Sequence, residues 1–112
     1  MKINDRYDRD ICIMEISGNM MGGPDTQELH EKVKNALGDG IKKIVIDLSN
    51  VKWMNSSGLG TLMSTYSSIT RESATVKLAG TTEKIKSLLI ITKLLQFFEN
   101  YESVDRAIAA YK

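Results

Sequence analysis

Apolar residues along the chain gather into short runs separated by polar and glycine-rich breaks, and the runs alternate between strand and helix periodicity. Ile11-Cys12-Ile13-Met14-Glu15-Ile16 is β-branched and apolar on both alternating faces, which predicts an interior strand. Tyr7-Asp8-Arg9-Asp10 ahead of it reads as a turn from an earlier edge strand, so the chain opens with a hairpin. Gly18 to Pro24 breaks the pattern. Asp25 is expected to begin a helix as N-cap, with Glu28 three residues later in the manner of a capping box. Leu29, Val33, Ala36 and Leu37 give that helix one apolar stripe, and Gly38 and Gly40 end it.

Ile44-Val45-Ile46-Asp47-Leu48 is a continuous apolar run, expected to be a central strand covered by helices on one or both faces. Leu59, Leu62, Met63, Tyr66 and Ile69 follow at helical spacing. Val76-Lys77-Leu78-Ala79 predicts the next strand, and Thr81 or Thr82 caps a helix carrying Ile85, Leu88 and Leu89. Phe97-Phe98 is expected to supply the last strand, and Ser103 to cap a terminal helix with Val104, Ala107, Ile108 and Tyr111 on its inner side. Strands alternating with helices imply parallel pairing through crossovers, so the predicted class is α/β.

Composition narrows the partners. A chain of 112 residues, 42% hydrophobic, suits one continuous core, and residues 1–112 are expected to form a single domain. Fifteen basic and fourteen acidic residues leave a formal charge of +1, so no global field draws the chain to nucleic acid or an anionic membrane. Cys12 is the single cysteine; it has no intramolecular disulfide partner and is expected to be a buried small hydrophobe. No apolar stretch approaches the ~18 residues of a membrane span, and Met1-Lys2-Ile3-Asn4-Asp5-Arg6 lacks the apolar core of a secretory signal. These features predict a cytoplasmic protein without membrane insertion. Leu88-Leu89-Ile90-Ile91 is too short to span and is expected in the core.

Candidate chemistry concentrates where the central strand gives way to a helix. The chain leaves Asp47-Leu48, stays apolar to Trp53-Met54, and then meets Asn55-Ser56-Ser57-Gly58-Leu59-Gly60. Ser56 or Ser57 can accept a hydrogen bond from an unpaired amide of the first helical turn, worth ~1 kcal/mol. Gly58 and Gly60 let another surface approach the backbone. Spacing alone also fits serines that are merely caps and glycines that merely relieve crowding, since serine caps are common, and it does not decide between the two.

Several enzyme classes are excluded by pattern. A nucleophile elbow needs glycine two residues before the serine, but Asn55 precedes Ser57 and Met54 precedes Ser56 at that spacing. Walker and dinucleotide fingerprints are absent. His30 is the single histidine, placed among Glu28, Glu31 and Lys32 on a helix expected to be solvated, with no second histidine for a metal pair. Glu83-Lys84-Ile85-Lys86 reads as a solvated helix face, and Trp53 with Met54 as core. No catalytic residue, metal site or cofactor is expected.

Ile46-Asp47-Leu48-Ser49, Val51 and then Met54-Asn55-Ser56-Ser57-Gly58-Leu59-Gly60 resemble the signature of the anti-sigma factor antagonists, stand-alone STAS domains. The Ile16-Ser17-Gly18 strand end, the 26–37 helix and the 103–107 helix fall in family order. The resemblance implies a mixed sheet of four or five strands with helices packed mainly on one side. It also implies a bacterial transcription regulator that is not itself an enzyme and does not bind DNA. In such proteins the second serine of Ser-Ser-Gly is phosphorylated by a kinase that doubles as the anti-sigma factor, and here that position is Ser57. The unphosphorylated form binds the kinase and releases a sigma factor, and a serine phosphatase reverses the modification. The implied partner-binding residues are Met20, Met21, Asn55, Ser56, Ser57, Gly58 and Gly60. The chain departs from the family at Asn55, where many members carry aspartate, and at Gly18-Asn19-Met20-Met21, where the family often has Gly-x-Leu-Asp. An apparent insertion through Gly22-Gly23-Pro24 follows. A STAS scaffold or transporter-associated subunit without phosphorylation is the alternative.

Overall fold

The computed structural model describes residues 1–112 apart from the side chain of Asp25. Five strands form one sheet in the order β1-β2-β3-β4-β5, where β1 is Lys2–Asp8, β2 Ile11–Met20, β3 Lys43–Met54, β4 Thr75–Ala79 and β5 Glu99–Tyr101. β1 and β2 form the expected hairpin, closing at Asp8↔Ile11. The remaining neighbours pair in parallel, each reached through a helix because parallel strands need a crossover. Those helices are α1 (Pro24–Gly38), α2 (Ser56–Arg71) and α3 (Glu83–Ile91), and α4 (Val104–Ala110) closes the chain.

Both faces of the central strands are buried, which explains why β2 and β3 read as unbroken apolar runs. Cys12, Met14, Ile16, Ile44, Ile46 and Leu48 join the cluster that takes in Leu29, Leu62 and Leu89 from α1, α2 and α3. Ile11, Ile13, Val45 and Ala79 meet Ala107 and Ile108 of α4 on the other face. Thus three helices cover one side and one short helix the other. Cys12 is fully buried and unbridged, and burial pushes its thiol above the ordinary value.

Several boundaries differ from expectation. α1 starts at Pro24 with Gly23 as N-cap, because proline suits a first helical position whose amide would be unpaired anyway. The aspartate cap expected at Asp25 falls on the side chain outside the described residues. The last strand is Glu99–Tyr101 rather than Phe97-Phe98. Phe97 ends a 3-10 turn, while Phe98 is buried edge-on to Tyr66, ring centroids 5.2 Å apart. Leu88 to Ile91 is only partly core: Leu89 is buried, but Ile90 is exposed and Ile91 is 76% exposed. Successive helical residues point about 100° apart, so four in a row cannot all face one core. Met54 is buried as expected, whereas Trp53 is exposed, with the Lys84 ammonium 4.7 Å from its ring centroid.

The α4 face also holds one buried charge. Lys77, 7% exposed, pairs with Glu99 at 2.9 Å and lies 4.6 Å from the Tyr111 ring centroid. Burial pulls its ammonium down, but the Glu99 hydrogen bond and charge outweigh this and hold it above the ordinary lysine value. The same hydrogen bond holds the Glu99 carboxyl below its ordinary value. A carboxyl depressed on folding contributes stability above its unfolded pKa and loses it as pH falls through the folded value. Glu99 is 65% exposed on its side chain, which screens the pair. Urea titrations across the acid range should therefore show Glu99→Gln with a modestly lower midpoint than wild type near pH 7, and a difference that shrinks below about pH 4.

Candidate functional site

β3 ends at Met54 and α2 begins at Ser56, so the serine turn is compressed into the single residue Asn55. Asn55 has extended backbone, and its Oδ1 accepts a hydrogen bond from the Gly58 amide at 2.9 Å. The helix cap is therefore Asn55 and neither serine: the residue in extended backbone just before the first helical position is the one placed to reach the third helical amide. Ser56 and Ser57 occupy the first two helical positions, and both are exposed.

The same asparagine ties the end of β2 to the turn. Its backbone amide donates to the Met20 carbonyl at 3.2 Å and its Nδ2 donates to the Met21 carbonyl at 3.2 Å. The two glycines consequently have different roles. A Cβ at Gly58 would overlap the Met20 carbonyl oxygen and stand 3.0 Å from Met54 Cβ, so this glycine serves an internal close approach rather than an open docking surface. Gly60 is exposed and a Cβ there would meet nothing within 4 Å. Gly60→Ala should accordingly stabilise the protein by about 0.5–1 kcal/mol, visible as a small rise in Tm.

Among the partner-binding positions implied by the resemblance, Ser56, Ser57 and Gly60 are exposed, Asn55 is half-buried and Met21 is 48% exposed. Met20 and Gly58 are buried; Met20 reaches the turn through its carbonyl while its side chain fills the core. Three further residues belong to the site. Gly22, at φ +85°, lies so close to Ser57 that a Cβ would stand 2.7 Å from Ser57 Cβ. The Thr61 hydroxyl donates to the Ser57 carbonyl at 2.9 Å and lies 3.1 Å from the Thr26 hydroxyl. The Gly22-Gly23-Pro24 break hinted at the first of these; the Thr26–Thr61 contact has no local signal, because it joins residues far apart in sequence.

Asp47 and Ser49, part of the sequence signature, form a local brace. Asp47 Oδ1 accepts from the Ser49 amide at 3.0 Å and also from the Ser49 hydroxyl. Gly80, φ +69°, packs against both side chains. His30 is half-buried rather than solvated, and its Nε2 is enclosed without a hydrogen-bond partner. It lines a groove of about 950 Å³ that also includes Lys34, Ser68 and Arg71 but not Ser57. No described helix is long and apolar enough to cross a membrane.

A five-stranded mixed sheet with three helices on one face and a serine-bearing helix start defines a recognisable class of domain. The chain belongs to the STAS domain family, whose family model matches residues 2–107. Its structure is similar to that of an anti-sigma factor antagonist from Mycobacterium paratuberculosis (TM-score 0.81, 23% identity, covering 97% of this chain and 92% of that one). It is also similar to the Bacillus cell fate determinant SpoIIAA in its phosphorylated form (TM-score 0.76, 13% identity, 99% and 100% covered). A third similar structure is the murine Solute Carrier 26 family member A9 anion transporter (TM-score 0.77, 14% identity), where the match covers 93% of this chain and 18% of the transporter.

Proposed function

We propose that this protein is an anti-sigma factor antagonist acting as a cytoplasmic, single-domain binding regulator, switched by phosphorylation of Ser57. In the unmodified state it binds an anti-sigma factor that is also a serine kinase and so releases a sigma factor. Phosphate on Ser57 blocks that binding, and a serine phosphatase restores it. Ser57 is a substrate in this scheme and performs no catalysis. The observation that carries the reading is the placement of Ser57: an exposed hydroxyl at the second position of a sixteen-residue helix, beside an exposed Ser56, Gly60 and Met21. A helix N-terminus favours an added anion by about 0.3–1 kcal/mol, so the folded domain tolerates a phosphate that a close protein interface does not.

The test is incubation with ATP and a serine-kinase anti-sigma factor encoded in the same genome, followed by intact-mass measurement. Wild type should gain one phosphate and Ser57→Ala none. A second reading, a STAS scaffold or transporter-associated subunit, draws support from the likeness to an anion transporter. It predicts no phosphate on wild type and co-purification with a membrane protein.

A further inference from the structure

Ser57 is met by the segment joining β2 to α1 on its side chain and, through Thr61, by the first turn of α1 behind its carbonyl. Its side chain lies against Gly22, where a Cβ would stand 2.7 Å from Ser57 Cβ and 3.5 Å from Oγ. Its carbonyl is linked through the Thr61 hydroxyl to Thr26 in the first turn of α1. The carboxamide of Asn55 fastens this segment, with its oxygen accepting from the Gly58 amide and its nitrogen donating to the Met21 carbonyl. Beyond Met21 the chain turns through Gly22 and Gly23, at φ +85° and +79°, a conformation that glycine adopts without strain. Met21 itself is half-exposed, so little apolar burial anchors the segment.

We infer that Asn55 is a positioning residue whose carboxamide latches the Met21–Gly23 segment onto Ser57, and that a phosphoryl group on Ser57 opens the latch. The inference rests on Ser57 as the modified serine. Both ends of the carboxamide are in use. Aspartate at position 55 would keep the acceptor for Gly58 but set a carboxylate oxygen against the Met21 carbonyl, replacing an attraction with a repulsion. Phosphorylation adds about −1.5 to −2 charge and three acceptor oxygens on the hydroxyl that abuts Gly22. Those oxygens compete with Asn55 for the first-turn amides and repel the Met20 and Met21 carbonyls. Once the Asn55 oxygen loses the Gly58 amide, its nitrogen loses its aim at Met21. α1 begins directly after this segment, and Thr26 touches Thr61, so release reaches the start of α1 as well. The modification thus changes the shape of the surface beside Ser57 in addition to its charge.

The test uses the full chain, isotope-labelled, with phosphoserine installed at position 57 during translation. No kinase is required, so the result is separable from the intact-mass experiment above. The unmodified protein should show a nuclear Overhauser contact between Gly22 Hα and Ser57 Hβ, and order parameters at Met21–Gly23 near the rigid value of about 0.85. The phosphorylated protein should lose the contact, with order parameters falling below about 0.6. Asn55→Asp and Asn55→Ser, without phosphate, should reproduce that loosening while α2 remains capped. Ser56→phosphoserine should leave both signals in place. A segment that stays rigid and in contact when Ser57 is phosphorylated overturns the inference, as does Asn55→Asp or Asn55→Ser with wild-type order parameters.

Discussion

Ser57→Asp should bind the anti-sigma factor partner at least about tenfold more weakly than wild type, while Ser57→Ala binds within about twofold of it, when the three are compared by calorimetry or surface plasmon resonance. The expected loss lies in the charge and shape of the binding surface and not in global unfolding. Ser57 is exposed at the second position of α2, where aspartate complements the helix dipole and costs the isolated domain nothing. Thermal unfolding of Ser57→Asp should therefore match or slightly exceed wild type, separating lost binding from lost folding. Aspartate carries less charge and fewer acceptor oxygens than a phosphate, so its effect is a lower bound on that of the modification. Equal affinities for all three proteins would remove Ser57 from the switch.

Gly58→Ala should be the most damaging small substitution in the turn, lowering stability by about 3 kcal/mol and Tm by on the order of 10 °C. The added methyl would overlap the Met20 carbonyl oxygen and crowd Met54 Cβ. That carbonyl cannot retreat without giving up the Asn55 amide, which it accepts at 3.2 Å. β2 and the start of α2 would have to part to admit the methyl, and the cap would go with them. Denaturant unfolding of Gly58→Ala beside Gly60→Ala makes a paired test, since the two changes are chemically identical and only one meets a neighbour. Similar stabilities for the two would refute the close approach of Met20 to Gly58.

Much of the architecture was legible because it is local. Period-3.6 spacing marked every helix, short apolar runs marked β2, β3 and β4, the turn before Ile11 implied β1, and the caps at Thr82 and Ser103 sit at the expected turns. Local pattern failed where packing chose between equivalent residues. Asn55 rather than serine caps α2 because its backbone is extended and its carboxamide is shared with β2. Phe98 is buried by a turn against Tyr66, and the short β5 follows it. Trp53 faces solvent although Val51 is buried, because β2 and β3 pair irregularly between Gly18↔Val51 and Met20↔Met54 and the strand's two-residue alternation breaks there.

By itself, the sequence determined the α/β class, the family signature through Asp47, Ser57 and Gly58, and the position of the serine turn at the end of the central strand. Each of these depends on residues within a few positions of one another. The tertiary structure decided what surrounds Ser57: Gly22 against its side chain, Thr26 and Thr61 behind its carbonyl, and Asn55 joining the turn to Met20 and Met21. These contacts link residues 34 or 35 positions apart, counted from Met20 and Met21 to Asn55 and from Thr26 to Thr61. They arise because parallel pairing of β2 with β3 carries both strands' C-terminal ends to the same end of the sheet, at Met20↔Met54, an arrangement set by pairing across the sheet and invisible to any local pattern.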